Sequence, residues 1–560
     1  MSRVLILGGY GTFGGRLAQL LADEPRLTLI IAGRSRAKAA AFCAKLKAAA
    51  TCLPLAFDRD GDAERQLRDA AADIVVDATG PFQAYGDDPY RVVKAALALG
   101  VNYLDLADAP GFVRGITRFD AEARARGMFV LSGVSSLPVL TAAVVRHLAE
   151  GMAQVEAVAG GIAPSPYANV GINVIRAVAS YAGKPVTLLH DGRRVTRPAL
   201  IDSRRFTIAP PGALPLHPIR FSLVDVPDLQ LLPELWPGLR SVWVGAGPVP
   251  AIWHRALSLL AFAVRLKLLP SLVPFAGLMH RANHALAWGE HRGGMFVAVE
   301  GRGADGEKIE RSWHLVAEKE AGPLIPSMAA EAIIRHCLAG QVPAAGARPA
   351  PTDLELTDYE PLFAREAIVT GTRQALPPGE RVPLYRRILG DAYGRLPEPL
   401  QEMHDLDREL TAEGVATVGR GTSILSRLAA WIIGFPPAGE SVPVKVSFRV
   451  RDGRELWRRS FAGREFESTQ EEGRGRNEGL LCERFGPLNA AMALVLDGGR
   501  LRLVMRRWSL FGIPLPLALA PRGDSYEFVE DGRFRFHVEI AHPFTGPIVA
   551  YRGWLIPAAT

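Results

Sequence analysis

The chain has 560 residues, 48% hydrophobic and 22% charged, with a formal net charge of +7. These values exclude a disordered chain and a single small core, and a domain of about 150–200 residues implies roughly three of them. Basic residues are scattered, not gathered into a stripe interleaved with aromatics, so nucleic acid is not an expected partner. Cys43, Cys52, Cys337 and Cys482 show no paired spacing and read as free thiols of a reducing compartment. The first apolar run begins at Val4, which leaves no room for a signal peptide, and the expected location is cytoplasmic.

Val4-Leu5-Ile6-Leu7 reads as a buried strand, and glycines follow at once. Gly9-x-Gly11-x-x-Gly14 and Gly8-x-x-Gly11-x-x-Gly14 both fit a dinucleotide-binding turn, and Leu17, Leu20 and Leu21 then share one helix face. Such a turn brings backbone N–H groups and a helix N-terminus against a pyrophosphate. Gly8, Gly9, Tyr10, Gly11, Thr12, Phe13 and Gly14 are therefore candidate cofactor residues. The next strand, 27–32, ends in Gly33-Arg34-Ser35-Arg36. An acidic residue about twenty positions past the turn would bind a ribose hydroxyl. Arg34, with Ser35 beside it, suits a 2′-phosphate instead, which points to NADP(H); the bland alternative is a surface loop with ordinary arginines. Asp58 closes a strand over 53–57, near an adenine or on a solvated loop. The strand at 73–77 runs into Thr79-Gly80-Pro81 at the carboxyl edge of the sheet, where ligands bind in open α/β folds. Strands at 101–108 and 128–133 continue a β–α alternation that predicts a doubly wound parallel sheet.

The glycine turn, Gly80-Pro81-Phe82, Tyr103-Leu104-Asp105 and Gly133-Val134-Ser135-Ser136-Leu137-Pro138 resemble the saccharopine dehydrogenase-like NADP-binding proteins. The likeness continues through Asn169-Val170-Gly171-Ile172-Asn173, Arg292-Gly293-Gly294-Met295 and Gly322-Pro323-Leu324-Ile325-Pro326, about the first 355 residues. That family includes lysine-pathway enzymes, membrane- or lipid-droplet-associated oxidoreductases and enoyl reductases of complex lipid synthesis. The resemblance thus implies cofactor and fold far better than substrate.

From Val155 the pattern changes to α+β: a strand at 155–159, a helix at 170–181 capped by Asn169 or Ser165, and hairpins at 184–197 and 295–316. Tyr103, Asp105 and Ser135, with Tyr167, Asn169 and Asn173 where the second domain begins, are the candidate substrate-pocket residues. Tyr181 and His190 are further candidates for a proton donor, and none of these stands out as the acid. Residues 256–279 are nearly all apolar but broken by Arg265, Lys267, Pro270 and Pro274. The uninterrupted run is too short to span a bilayer. It reads either as a hairpin on a membrane surface or as a segment buried over an apolar pocket or in a homodimer interface, burial being the plainer reading. His280, His284 and His291 have metal-like spacing, yet beside this segment they read as surface histidines, and no metal is expected. Tyr90-x-x-x-Lys94 lies too early in the fold to be catalytic.

Residues 341–351 have the Pro/Ala/Gly composition of a linker. Beyond it, 384–389 and 400–410 read as helices, and strands from 442 onward, joined by Asp452-Gly453, Asp497-Gly498-Gly499 and Asp531-Gly532, predict an antiparallel sheet curved around a pocket. This part resembles an uncharacterised domain that follows saccharopine dehydrogenase-like domains in bacterial proteins. Trp457, Arg458, Phe461 and Trp508 could line an apolar cavity or simply pack a core.

The expected architecture is α/β, with a Rossmann-type doubly wound sheet at 1–150, an α+β substrate and dimerisation domain at 151–340, and a β-rich domain at 355–560. The expected function is NADP(H)-dependent hydride transfer to or from an apolar or lipid-like small molecule. The alternative is a non-enzymatic lipid- or metabolite-binding protein with a regulatory dinucleotide site. Contact with the inner face of a membrane through 256–279 completes the expectations.

Overall fold

In a computed structural model, all residues are described except 1, 169, 249, 286, 377–379, 407–408 and 559–560. The chain divides into two compact units, Met1–Phe206 with Ile219–Val369, and Thr207–Pro218 with Thr370–Thr560. The boundaries expected at 150 and 340 both fall inside the first unit.

That unit opens with six parallel strands: β1 (Ser2–Leu7), β2 (Leu27–Gly33), β3 (Thr51–Ala56), β4 (Ile74–Asp77), β5 (Asn102–Asp105) and β6 (Phe129–Ser132). Their spatial order is 3-2-1-4-5-6, the doubly wound order of dinucleotide-binding sheets. Val4, Leu5, Ile6 and Leu7 are at most 1% exposed, because helices cover both faces of the sheet. A seventh strand, Gly346–Pro349, adds to β6 in parallel. Residues 341–351 are therefore not a connector. The parallel pairing with β6 supplies hydrogen bonds that no local propensity announces, and Ala347 is 1% exposed there.

A second, mixed sheet follows in the order Ser203–Phe206, Ile219–Leu223, Ser241–Ala246, Gln154–Ala163, Gly293–Arg302 and Lys308–Ala317. Both expected hairpins form, at Pro185–His190 with Arg193–Pro198 and at Gly293–Arg302 with Lys308–Ala317. The helix expected at 170–181 spans Ile172–Tyr181 with Gly171, in extended conformation, as its N-cap. Asn169 lies outside the described residues, and Ser165 makes its bonds elsewhere, accepting from Tyr167 N at 3.2 Å. Helix Ile325–Leu338 returns to the first sheet, where Ser327 Oγ donates to Phe13 O at 3.0 Å.

In the second unit ten antiparallel strands close into a barrel. The order is Leu488–Asp497, Leu481–Phe485, Arg464–Glu472, Arg454–Phe461, Gly439–Arg451, Leu410–Arg420, Gly546–Pro557, Arg533–His542, Ser525–Glu530 and Arg500–Leu510, which pairs back with Leu488–Asp497. Asp452-Gly453 and Asp531-Gly532 turn with positive φ at both positions, as two-residue hairpins require. The helix expected at 400–410 stops at His404, and Leu410 already begins a strand. The four cysteines carry no disulfide. Among the described residues no helix is long and apolar enough to cross a membrane.

Candidate functional site

Gly8 has φ +72°, and a Cβ placed on it would lie 2.8 Å from Ala78 O. A Cβ on Gly14 would lie 2.4 Å from Gly8 O. These two contacts set the tightness of the turn from β1 into helix Thr12–Leu20, whose N-cap is Gly11. The turn therefore presents backbone instead of side chains at a helix N-terminus, and the first residues after β1 fit a pyrophosphate.

Tyr10 reaches across to the end of β2, where its hydroxyl accepts from Ser35 N at 3.1 Å. Ser35 caps the next helix, its Oγ accepting from Lys38 N at 3.3 Å. Arg34 between them is exposed and makes no hydrogen bond or ion pair with a described residue, so its guanidinium is available to a ligand. Asp58 is also exposed. Its Oδ1 accepts from Asp60 N at 3.2 Å, and Gln66 closes the turn by binding Asp58 N and O at 2.7 and 2.9 Å. At the end of β4, Thr79 Oγ1 donates to Asp77 Oδ1 at 2.6 Å and lies 2.6 Å from the Tyr85 hydroxyl. Asn173 Nδ2 donates to Gly80 O at 2.7 Å, which ties helix Ile172–Tyr181 to the Gly80-Pro81 turn.

A cavity of about 590 Å³ begins at the start of helix Thr12–Leu20. Thr12 and Phe13 line it, as do Asp108 beyond β5 and Ser136 and Leu137 beyond β6, so it lies over the carboxyl edge of the parallel sheet. Val174, Val178 and Tyr181 form one wall. Trp253 and Leu257 of helix Ala251–Arg265, and Met279 and Ala282 of helix Ala276–Ala285, form another. The segment left open between burial and membrane contact thus covers an apolar cavity with one face. Its other face is exposed, with Leu259 at 70% and Leu268 at 73%.

Among the described residues, none of the candidate substrate residues is in the wall of this cavity. Tyr103 and Asp105 alternate onto the same face of β5 and are fully buried, Tyr103 in the core under the helices. This corrects their expected place in a substrate pocket. Ser135, Tyr167 and Asn173 are not lining residues either, although their neighbours Ser136, Ala168 and Val174 are. Tyr167 stacks on His291, with centroids 3.7 Å apart. His190 stands on the hairpin, 3.7 Å from Asp191 and outside the cavity. His280 and His284 face each other at 4.3 Å, and no group of three or more metal-ligating side chains gathers among the described residues.

Asp108 is the titratable group that sequence reading passed over. Gln83 Nε2 donates to its Oδ1 at 3.1 Å, and burial pushes its carboxyl above the usual range. Tyr181, in the same cavity, is pushed up by burial and then by Asp108 and Asp225. Asp225 is raised by burial and then by the charge of Asp108. Nothing local marks Asp108; Tyr181 and Asp225 come to it only through packing. His254 is 4% exposed, its Nε2 2.7 Å from Ser222 Oγ, and burial followed by Arg220 and Arg255 holds its pKa down.

Asp105 carries a measurable consequence. Its Oδ1 accepts from Gly133 N at 2.8 Å and from Ser132 Oγ and Ala107 N at 3.0 Å, yet burial outweighs these donors and pushes the carboxyl up to about 7. The folded protein binds this proton more tightly than the unfolded chain, whose Asp titrates near 3.9. The resulting stabilisation is complete below about pH 4 and is lost as pH rises to 7, on the order of 4 kcal/mol in all. Asp105→Asn is expected to flatten the decline in Tm between pH 5 and 7.5. Parallel declines in both proteins would refute the assignment.

Residues 4–131 match the family described as the saccharopine dehydrogenase NADP binding domain, and residues 396–555 match a domain of unknown function, DUF4166. Among solved structures, apo saccharopine dehydrogenase (L-Glu forming) from Saccharomyces cerevisiae is similar at 13% identity, over 67% of this chain and 100% of that chain, with a TM-score of 0.46. The WlbA dehydrogenase from Thermus thermophilus, in complex with NAD and alpha-ketoglutarate, is 14% identical over 64% of this chain and 94% of its own, with a TM-score of 0.30. Biliverdin reductase from Synechocystis sp. PCC 6803 is 12% identical over 61% and 92%, with a TM-score of 0.29. The comparison with curated proteins gives no match. Residues 4–131 are thus saccharopine dehydrogenase-like, a nicotinamide-dinucleotide-binding domain of the kind found in oxidoreductases, and residues 396–555 are a DUF4166 domain.

Proposed function

We propose that the protein is an NADP(H)-dependent oxidoreductase acting on an apolar, lipid-like small molecule. The observation that carries this reading is the apolar cavity that starts at Thr12 and Phe13, directly after the glycine turn, and is lined by the half-buried carboxyl of Asp108. A bound nicotinamide dinucleotide supplies or accepts the hydride. Gly8, Gly9, Gly11 and Gly14 give the pyrophosphate its backbone cradle, with Tyr10 beside it. Arg34 grips the 2′-phosphate, and Ser35 keeps that loop in place as a helix cap. Asp58 borders the adenine side, and Thr79, Gly80 and Pro81 hold the dinucleotide at the end of β4, where Asn173 ties the turn to helix Ile172–Tyr181. Val174, Val178 and Trp253 exclude water from the reacting carbon. Asp108, which lines the cavity and whose pKa burial raises, is the group placed to donate the proton that accompanies hydride arrival.

Arg34 provides the direct test of cofactor choice. A charge-assisted hydrogen bond is worth about 1.5–3 kcal/mol, so Arg34→Ala is expected to weaken NADPH binding roughly 10- to 150-fold and leave NADH unchanged. Fluorescence titration with both nucleotides measures this. Equal affinity of the unaltered protein for the two would remove the NADP assignment.

The same cavity supports a membrane source for the substrate. Leu260 and Leu278 line it and are also exposed, so its edge meets the apolar outer face of the Ala251–Arg265 and Ala276–Ala285 helices. Between Glu234 and Glu290 there is no acidic residue, while Arg255, Arg265, Lys267 and Arg281 add positive charge. An apolar face with a cationic margin suits an anionic lipid surface. Flotation with phosphatidylglycerol vesicles is expected and should be abolished by Leu259→Asp with Leu268→Asp. If the double variant instead changes only the sedimentation mass, the face is a dimer interface and the lipid reading fails.

A further inference from the structure

The barrel of the second unit encloses a cavity of about 450 Å³, within the ~300–1,000 Å³ of small-molecule sites. Barrels above about eight strands enclose space that their own side chains do not fill. Strand alternation settles which residues face it. Trp457, Arg459 and Phe461 point inward, whereas Arg458 pairs with Glu467 on the outer face at 2.5 Å. Arg458 is thus corrected from the expected lining set, and Trp457, Phe461 and Trp508 remain in it.

The body of the cavity is apolar and aromatic, with Phe448, Phe461, Met492, Phe534 and Leu555 in its wall. Tyr385 and Met403, from helices Leu384–Leu389 and Glu398–His404, close one end, and Ala429 and Ile433 of helix Ile424–Ile433 close the other. Polar groups cluster toward the Tyr385 end. The Tyr385 hydroxyl donates to Gln470 Oε1 at 3.1 Å, the one side-chain hydrogen bond Gln470 makes among the described residues. Arg459 donates to Ser468 Oγ at 2.7 Å and Glu483 Oε1 at 3.0 Å. Glu527 lies 2.6 Å from His404 Nε2. The guanidinium already faces a carboxylate, and Arg522, the other arginine of the lining, is exposed and donates to Ala518 O at 3.2 Å, so the Tyr385 end holds no spare cation for an anionic head group. A buried carboxylate or phosphate without a counter-charge would be expelled. What fits is an apolar chain ending in a hydroxyl or carbonyl that the Gln470 amide can meet, with the Tyr385 hydroxyl holding that amide in place.

We propose that the DUF4166 barrel is a binding site for a neutral single-chain amphiphile, its chain against Phe448, Phe461 and Met492 and its polar end toward Tyr385 and Gln470. This site is separate from the cavity of the first unit and does not depend on the redox reading. The test uses the full-length chain and a hexadecanol carrying a diazirine in its chain, followed by irradiation, digestion and mass-spectrometric mapping. Saturable labelling is expected within 444–461, 490–508 and 534–555, displaced by unlabelled hexadecanol and not by hexadecanoate. Ala490→Phe, which overfills the cavity, is expected to cut barrel labelling by about tenfold or more, with labelling of 162–178 and 253–282 unchanged. Met492→Trp serves the same purpose if circular dichroism shows that Ala490→Phe does not fold. Labelling confined to the first unit, unsaturable labelling, or equal labelling of a folded filling variant would overturn the site. Displacement by hexadecanoate would overturn the neutral class.

Discussion

Asp108→Asn is expected to lower the maximal rate of NADPH oxidation, measured with lipid extract at saturating nucleotide, by about 10²–10⁴-fold. Nucleotide affinity should not change, because Asp108 lines the substrate cavity and is not part of the glycine turn. The amide preserves shape and hydrogen bonding to Gln83 but has no proton to give. The pH profile supplies the sign. Burial raises the pKa of Asp108, and the donor is the protonated form. Reduction should therefore hold at low pH and fall as pH rises through that raised value, a limb the variant lacks. Gln83 stabilises the charged form through its 3.1 Å hydrogen bond, so Gln83→Leu should move the falling limb to higher pH. An undiminished rate in Asp108→Asn would leave the cavity without a protein acid.

Gly14→Ala should be nearly as damaging, by a different route. The new methyl would sit 2.4 Å from Gly8 O and 2.8 Å from Gly8 C. Both neighbours are backbone, so the turn itself must open. Loss of two N–H contacts to phosphate, each worth about 1.5–3 kcal/mol, predicts NADPH binding weakened a hundredfold or more. Gly277→Ala is the control, since nothing lies within 4 Å of the Cβ it would acquire. Isothermal titration of the two variants separates a specific collapse of the cradle from a general cost of removing glycine. Similar affinities for both would mean that the turn does not hold the nucleotide.

Local pattern was enough for much of the fold. An apolar run followed by glycines and an amphipathic helix can only be a strand, a turn and a helix, because side-chain size and periodicity act within a few residues. The hairpins with Asp-Gly turns were readable for the same reason. The strand Gly346–Pro349 was not, since an alanine- and proline-rich stretch becomes extended structure only when β6 offers it a parallel edge. Leu410–Arg420 was not readable either: only Leu410 fell within the helix expected at 400–410, and the Gly- and Ala-containing stretch after it becomes a strand through pairing with Gly439–Arg451 and Gly546–Pro557. The inward side of Trp457-Arg458-Arg459 depended on barrel closure, which adjacent cations could not reveal.

Sequence alone determined the dinucleotide turn, the position of Arg34 one strand over and the β-rich character of the last domain, since each follows from steric and hydrogen-bonding rules between near neighbours. Tertiary structure alone decided which carboxyl leaves water, which face of 256–279 covers a cavity and which residues of the barrel look inward. Burial is a property of everything packed around a side chain, and for Asp108 that surrounding comes from Gln83, Tyr181 and Asp225, whose spacing along the chain carries no trace of their meeting.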